Sequence, residues 1–322
     1  MEPDAVRDRS ETILNEVERA VIVDRSVLRS IMVGLMADGH VLLEDVPGTG
    51  KTLTARSMAD ALGLTFSRIQ FTPDLLPSDV TGSNVLNEKT REFEFQHGPI
   101  FANVVLADEI NRSPPKTQAA LLEAMEEGQV TVDGETHALP DPFIVLATQN
   151  PVEMDGTFEL PVAQKDRFML KTSLGYPDYE GELELIDRRA DRDTQSPTVR
   201  RVSDPEIIDR LRQAPETVRV EPAVREYLVT VARETRADER VSAGVSPRGV
   251  QRFFEAVRAN AILEGRSYAT PDDVKVVAQQ ALSHRLVLTP DARVEQVDAA
   301  DVVRTILSRV EVPQLNARSN GR

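Results

Sequence analysis

The sequence has no cysteine, so disulfides and thiol chemistry are excluded. It has no run of eighteen apolar residues, which excludes an ordinary helical membrane span. The opening Met-Glu-Pro-Asp-Ala-Val-Arg-Asp-Arg is charged and lacks the apolar core of an export signal, so a cytoplasmic location is expected. Four histidines (His40, His97, His137, His284) are scattered without ligand spacing and read as packing or surface residues. Lysine is scarce, six among 38 basic residues. With 53 acidic residues the net charge is −15, which disfavours a general grip on nucleic acid. Such a surface suits concentrated salt, where the Debye length falls to about 3 Å and self-repulsion is screened. A high-salt cytoplasm is therefore the expectation.

What is present is enough chain, 322 residues, for two domains with real cores. Helical stripes are expected at residues 10–21 and 26–36. A short apolar run opening at Val41 reads as a strand that leads through a glycine turn into a helix stopped by Gly63, and further strands are expected at 64–71, 102–107, 143–148 and 168–174. Residues 114–127 read as a helix stopped by Gly128. Residues 84–96 and 129–137 read as hairpins, the second with a strong Asp133-Gly134 turn. After Tyr176-Pro177 the strand signals fade. Proline-led caps at 203–206 and 270–273 introduce helices at 207–211, 223–235, 247–263, 271–286 and 298–310. The expected layout is an α/β half over 1–190, a linker over 191–205, a helical domain over 206–313 and a frayed tail from 314 to 322.

Residues 41–52, Val-Leu-Leu-Glu-Asp-Val-Pro-Gly-Thr-Gly-Lys-Thr, carry the chemistry. A buried strand, a Pro47-Gly48-Thr49-Gly50 turn and a helix opening at Lys51-Thr52-Leu53 form the setting of a phosphate-binding loop. Glycines let the backbone wrap a polyphosphate, and the amides of a new helix face anionic oxygens. Lys51 would sit on the β- and γ-phosphates of ATP and Thr52 on Mg²⁺. The pattern G-x-x-x-x-G-K-[ST] asks for glycine at position 45, where this chain has Asp45; a tight turn without ligand is the competing reading. The second motif is Val-Val-Leu-Ala-Asp-Glu at 104–109, a buried strand ending in two acids. Open α/β sheets place ligands at the carboxyl ends of their strands. Asp108 fits a Mg²⁺ partner through coordinated water, and Glu109 the residue that orients and deprotonates an attacking water. Asn150 ends the strand at 143–148; from its position alone it reads as a turn residue before Pro151, or as a holder of water or γ-phosphate from a strand between the first two motifs. Arg167 and Arg248 taken singly are surface charges.

Taken together these stretches resemble the MoxR family of AAA+ ATPases. The likeness is carried by residues 39–52, by Leu-Ala-Asp-Glu-Ile-Asn-Arg-Ser-Pro-Pro-Lys-Thr-Gln-Ala-Ala-Leu-Leu-Glu-Ala-Met-Glu-Glu at 106–127, by Ala-Thr-Gln-Asn-Pro at 147–151, by Leu160-Pro161 through Asp166-Arg167-Phe168 and by Ser246-Pro247-Arg248, in that order. Aspartate at position 45 is usual in that family. The resemblance implies a parallel-sheet AAA+ core followed by a smaller all-α lid. It implies Asn150 as sensor 1, Arg167 as an arginine finger reaching a neighbouring subunit's nucleotide, and Arg248 as sensor 2 from the lid. It implies hairpins facing the ring's pore or partner surface, a hexameric ring, and chaperone-like remodelling of clients that often carry von Willebrand factor A domains. Many relatives have a glycine in the segment near the adenine; here it reads Val21-Ile22-Val23-Asp24-Arg25. A metal-chelatase motor subunit and a nucleic-acid motor share this branch and are the alternatives, with a non-hydrolysing ATP scaffold a third.

Overall fold

The computed structural model describes residues 1–150, 158 and 160–314. Pro151 and the tail beyond Gln314, both named above, lie outside the described residues. Helices α1 (Pro3–Glu18) and α2 (Arg25–Met36) precede β1 (Val41–Glu44), which is followed by α3 (Lys51–Leu62) and β2 (Phe66–Gln70). A short α4 (Pro77–Thr81) leads into the hairpin β3 (Gly82–Asn87) and β4 (Glu92–His97). Then come β5 (Val104–Asp108), α5 (Pro115–Glu127) and a second hairpin, β6 (Gln129–Val132) with β7 (Glu135–Ala138). Strand β8 (Ile144–Gln149), α6 (Val162–Lys165), β9 (Leu170–Thr172) and α7 (Tyr179–Ala190) complete the first half. The second half holds α8 (Pro205–Gln213), α9 (Pro222–Ala237), β10 (Val241–Ala243), α10 (Pro247–Leu263), α11 (Pro271–Leu282), β11 (Val287–Leu288), α12 (Pro290–Val294) and α13 (Ala299–Arg309).

The order of the main sheet is β2-β5-β8-β1-β9, and every pairing in it is parallel. Parallel strands need cover on both faces, which is why β1, β5 and β8 read as unbroken apolar runs. One face carries Val41, Leu43, Val104, Leu106, Ile144 and Leu146 in an apolar cluster with α1, α2 and α3. The same cluster continues into the C-terminal helices through Ile208, Tyr227, Phe253, Val277 and Val302. The other face carries Leu42, Val105, Ala107, Val145 and Ala147 against Leu121, Leu122 and Met125 of α5. Proline sets many helix starts, because its fixed φ suits the first turn and its missing N–H costs nothing there. Helices α5, α8, α9, α10 and α11 all begin on one.

Two differences from the sequence expectation have simple causes. Helix α1 starts at Pro3 rather than near residue 10, because Val6 extends the buried stripe of Ile13, Leu14 and Val17 by two turns. Helix α7 was not expected at all: it has no buried residue, so it lacks the one-sided apolar period that marks a helix in sequence. The chain at 200–203 is fastened to the first half. Glu16 accepts from Arg200 at its backbone N–H (2.9 Å) and Nη2 (2.9 Å), and Val202 N–H donates to Ala61 O (2.9 Å).

His40 and His284 are buried in these contacts. His40 Nδ1 accepts the Val145 amide (3.0 Å) and Nε2 lies 3.0 Å from Met125 O, so the ring is neutral with its proton on Nε2. Burial pushes its pKa from 6.5 down to about 4. A group with a depressed folded pKa contributes stability that is complete above its unfolded pKa and is lost as pH falls toward the folded one. Denaturation midpoints should therefore drop between pH 6.5 and 5, toward a loss of about 3 kcal/mol from His40 by pH 4. A flat profile across that window would contradict the buried neutral ring.

Candidate functional site

Because the strands are parallel, the ends of β1, β2, β5 and β8 meet along one edge of the sheet. At the end of β1 the chain does not turn on a glycine. Asp45 is buried, and its Oδ2 accepts the amides of Leu174 (2.9 Å) and Gly175 (3.0 Å) just beyond β9, while Oδ1 accepts Val46 N–H (2.9 Å). Its own amide donates to Gln149 O (3.0 Å). The missing glycine of the pattern is thus a clamp that ties the loop to strands on either side. Gly48 and Gly50 then adopt φ of 86° and 88°, where side chains are strained, and a Cβ on either would meet open space. Gly50 caps α3 without a side-chain acceptor, so the first-turn amides keep their donor capacity. Lys51 Nζ rests 2.5 Å from Val46 O and 3.5 Å from Asp45 O, an ammonium held over its own loop.

The facing wall comes from β5, β8 and β2. Thr148 Oγ1 donates to Asp108 Oδ1 (2.6 Å) and accepts Glu109 N–H (2.8 Å), so one hydroxyl fixes both acids. Asp108 Oδ2 accepts Arg68 Nη2 (2.6 Å) and Nε (3.1 Å). Glu109 sits at φ 56°, ψ 49°, a left-handed conformation uncommon outside glycine, asparagine and aspartate. Its Oε2 accepts Gln70 Nε2 (2.9 Å) and lies 3.3 Å from Arg112 Nε. Strain of this kind collects where a side chain must be aimed. Between the walls is a cavity of about 430 Å³ lined by Pro47, Gly48, Gly50, Lys51, Thr52, Leu53, Asp108, Glu109 and Asn150, with Arg68, Gln70 and Thr148. Asn150, just beyond β8, the strand between β5 and β1, is part of this lining.

This wall-and-loop geometry has close parallels. A family model for the ATPase family associated with various cellular activities (AAA) matches residues 40–170, and an AAA lid domain model matches residues 233–306. Chaperone MoxR1 of Mycobacterium tuberculosis is 41% identical over 95% of this chain and 83% of its own. The uncharacterized protein YeaC of Bacillus subtilis is 48% identical over 93% of both chains. The crystal structure of a candidate ATPase from Cytophaga hutchinsonii superposes with a TM-score of 0.90 at 37% identity, covering 97% of each chain. The chain belongs to the MoxR-type AAA+ ATPases.

In this MoxR-type chain the two expected arginines do not line the cavity between the loop and the acids. They stand together elsewhere. Arg167 Nη2 lies 3.1 Å from Glu126 Oε2, and Arg248 Nη1 lies 2.7 Å from Glu126 Oε1. One carboxylate in the last turn of α5 therefore holds an arginine from each half of the chain. A second cavity, about 370 Å³, adjoins the loop at Gly48, Gly50 and Leu53 and is walled by Val21, Ile22, Pro177 and Leu185. Of the segment Val21-Ile22-Val23-Asp24-Arg25, the first two residues line it. The two hairpins also touch: Asn84 Nδ2 donates to Asp133 Oδ2 (2.8 Å), and the Phe95 ring stacks on His137 at 3.8 Å. At the far end of the first hairpin Phe93 and Leu86 face each other across the ladder and are exposed.

Sequence reasoning missed Arg68, Gln70, Thr148 and Glu126. A weak signal existed for the first two: the period of a strand places Arg68 and Gln70 on one face at its carboxyl end. Thr148 and Glu126 carried no signal of their own, since one is an ordinary strand residue and the other one of several glutamates on an exposed helix end.

Proposed function

We propose that this chain hydrolyses ATP in a Mg²⁺-dependent reaction, assembled as a ring that is hexameric by family resemblance, and uses the turnover to remodel partner proteins. The observation that carries this reading is the convergence of Lys51, Thr52, Asp108 and Glu109 on one cavity under an open glycine cradle. The hydroxyl of Thr52 and the carboxylate of Asp108 are hard oxygen donors beside that cradle, a set that suits Mg²⁺. They would hold the ion, which supplies neutralisation of phosphate charge. Lys51 and the α3 amides bind the phosphates. The apolar cavity at Val21, Ile22 and Leu185 has the character for a base. Glu109 takes the proton of the attacking water as its oxygen bonds to the γ-phosphorus and the bridge to the β-phosphate breaks. Asn150 orients that water or the γ-phosphate. Arg167 and Arg248, absent from their own chain's cavity, act on the neighbour's.

The working division is a nucleotide-binding core at 1–190, a connecting segment at 191–205 and a helical lid at 206–313. The paired hairpins, with Phe93 and Leu86 exposed, are the surface offered to clients, among which von Willebrand factor A proteins are the class the resemblance favours. We place the protein in the cytoplasm, adapted to high salt by its charge of −15. Phosphate release tests the reading. Turnover per chain should rise with protein concentration until rings form, vanish in excess EDTA, and be lost with nucleotide affinity in Lys51→Ala. Turnover indifferent to dilution and to EDTA would sink it.

A further inference from the structure

Asp166, the residue before Arg167, is a junction between the two halves of the chain. Its Oδ2 accepts from Ser246 Oγ (2.9 Å) and its Oδ1 from Arg285 Nε (2.6 Å). Arg285 then reaches along the same loop: Nη2 donates to Phe168 O (2.7 Å) and Asp166 O (3.3 Å), and Nη1 to Met169 O (3.2 Å). His284 adds a contact from Nε2 to Phe168 O (3.0 Å). The side chain of Arg285 is 1% exposed. Its stem packs on the first turn of α10 so closely that a Cβ on Gly249 would stand 2.9 Å from Arg285 Cδ. Ser246 is the N-cap of that same turn, accepting Gly249 N–H at 2.9 Å, and Arg248 lies within it.

A buried guanidinium is expensive to desolvate, and a well-filled apolar contact would hold two elements together as firmly. What it offers instead is direction: a planar fork that fixes several acceptors at once. Here the acceptors are the carboxylate and carbonyls that flank Arg167, and the fork is anchored to the turn that carries Arg248. We propose that Arg285 is a positioning residue, locking residues 166–169 to the start of α10 so that Arg167 and Arg248 meet a neighbouring chain's phosphates as one rigid pair. This rests on the reading, given above, that these arginines act across a subunit contact. A displacement of about 1 Å in such a group costs on the order of 10²-fold in rate.

The test uses full-length Arg285→Ala, Arg285→Lys and Asp166→Asn, with kcat, KM for ATP, and the affinity of each chain's own site for a fluorescent ADP analogue. Expected are kcat values lowered roughly 10²-fold for Arg285→Ala and about tenfold for the other two, with KM and ADP affinity within about threefold. In an Arg167→Ala, Arg248→Ala background, Arg285→Lys should add less than about threefold, because the groups it positions are already gone. Mixing Arg285→Ala with Lys51→Ala, whose arginines are intact, should restore turnover. If Arg285→Ala does not fold, Arg285→Lys and Asp166→Asn carry the same comparisons. Wild-type kcat in Arg285→Lys, or a full additional loss in the double-arginine background, overturns the proposal. So does a defect that mixing leaves unrescued while that of Arg167→Ala is rescued. If neither is rescued, the trans reading is what fails, and the additivity measurement still decides whether Arg285 works through the two arginines.

Discussion

Arg167→Ala should lower ATP turnover about 10³-fold or more and leave nucleotide binding unchanged. The size follows from the charge that spreads over the γ-phosphoryl oxygens in the transition state; a guanidinium placed there is worth roughly 10³–10⁵ in rate. The unchanged binding follows from position, since Arg167 does not line its own chain's cavity at Lys51 and pairs with Glu126 instead. The same fact makes the loss recoverable. Lys51→Ala has an empty site but an intact Arg167, whereas Arg167→Ala has a working loop and no guanidinium. In an equal mixture roughly a quarter of the head-to-tail contacts bring a good loop to a good arginine, so turnover should return to about that fraction of wild type. Activity should peak at intermediate mixing ratios and vanish at both extremes. No recovery at any ratio would show that the arginine does not serve a neighbour.

Glu109→Gln should bind ATP as wild type does and hydrolyse it at least about tenfold more slowly, with losses up to the order of 10³. The amide is isosteric and can still accept from Gln70 Nε2, which now holds the carboxylate at 2.9 Å. It cannot take a proton from water. Thr148, which anchors both Asp108 and the Glu109 amide, is untouched by the change, so the geometry of Asp108 is preserved. Single-turnover phosphate release beside equilibrium binding separates the two effects. A variant that turns over at the wild-type rate would remove Glu109 from the role of base, and a variant that loses ATP affinity would mean that the carboxylate is part of the binding surface. On the remodelling function proposed above, a trapped ATP-bound form is also the bait expected to retain a client.

The local sequence determined the parts that depend on residues a few positions apart. The glycines at 48 and 50, the lysine that opens α3, the acids that end β5, the prolines that start helices and the Asp133-Gly134 turn are fixed by backbone sterics and near-neighbour hydrogen bonds, and those are written in consecutive residues. The order of the strands was decided elsewhere. It takes burial of both sheet faces to set β8 between β5 and β1, and only then does Thr148 stand over Asp108, forty positions away in the chain. The clamp from Asp45 to Gly175, the hold of Gln70 on Glu109 and the meeting of Arg167 with Arg248 on Glu126 are of the same kind. Each is a contact between groups whose separation along the chain carries no period, so no local rule announces it; the two apolar clusters that enclose the sheet bring them together.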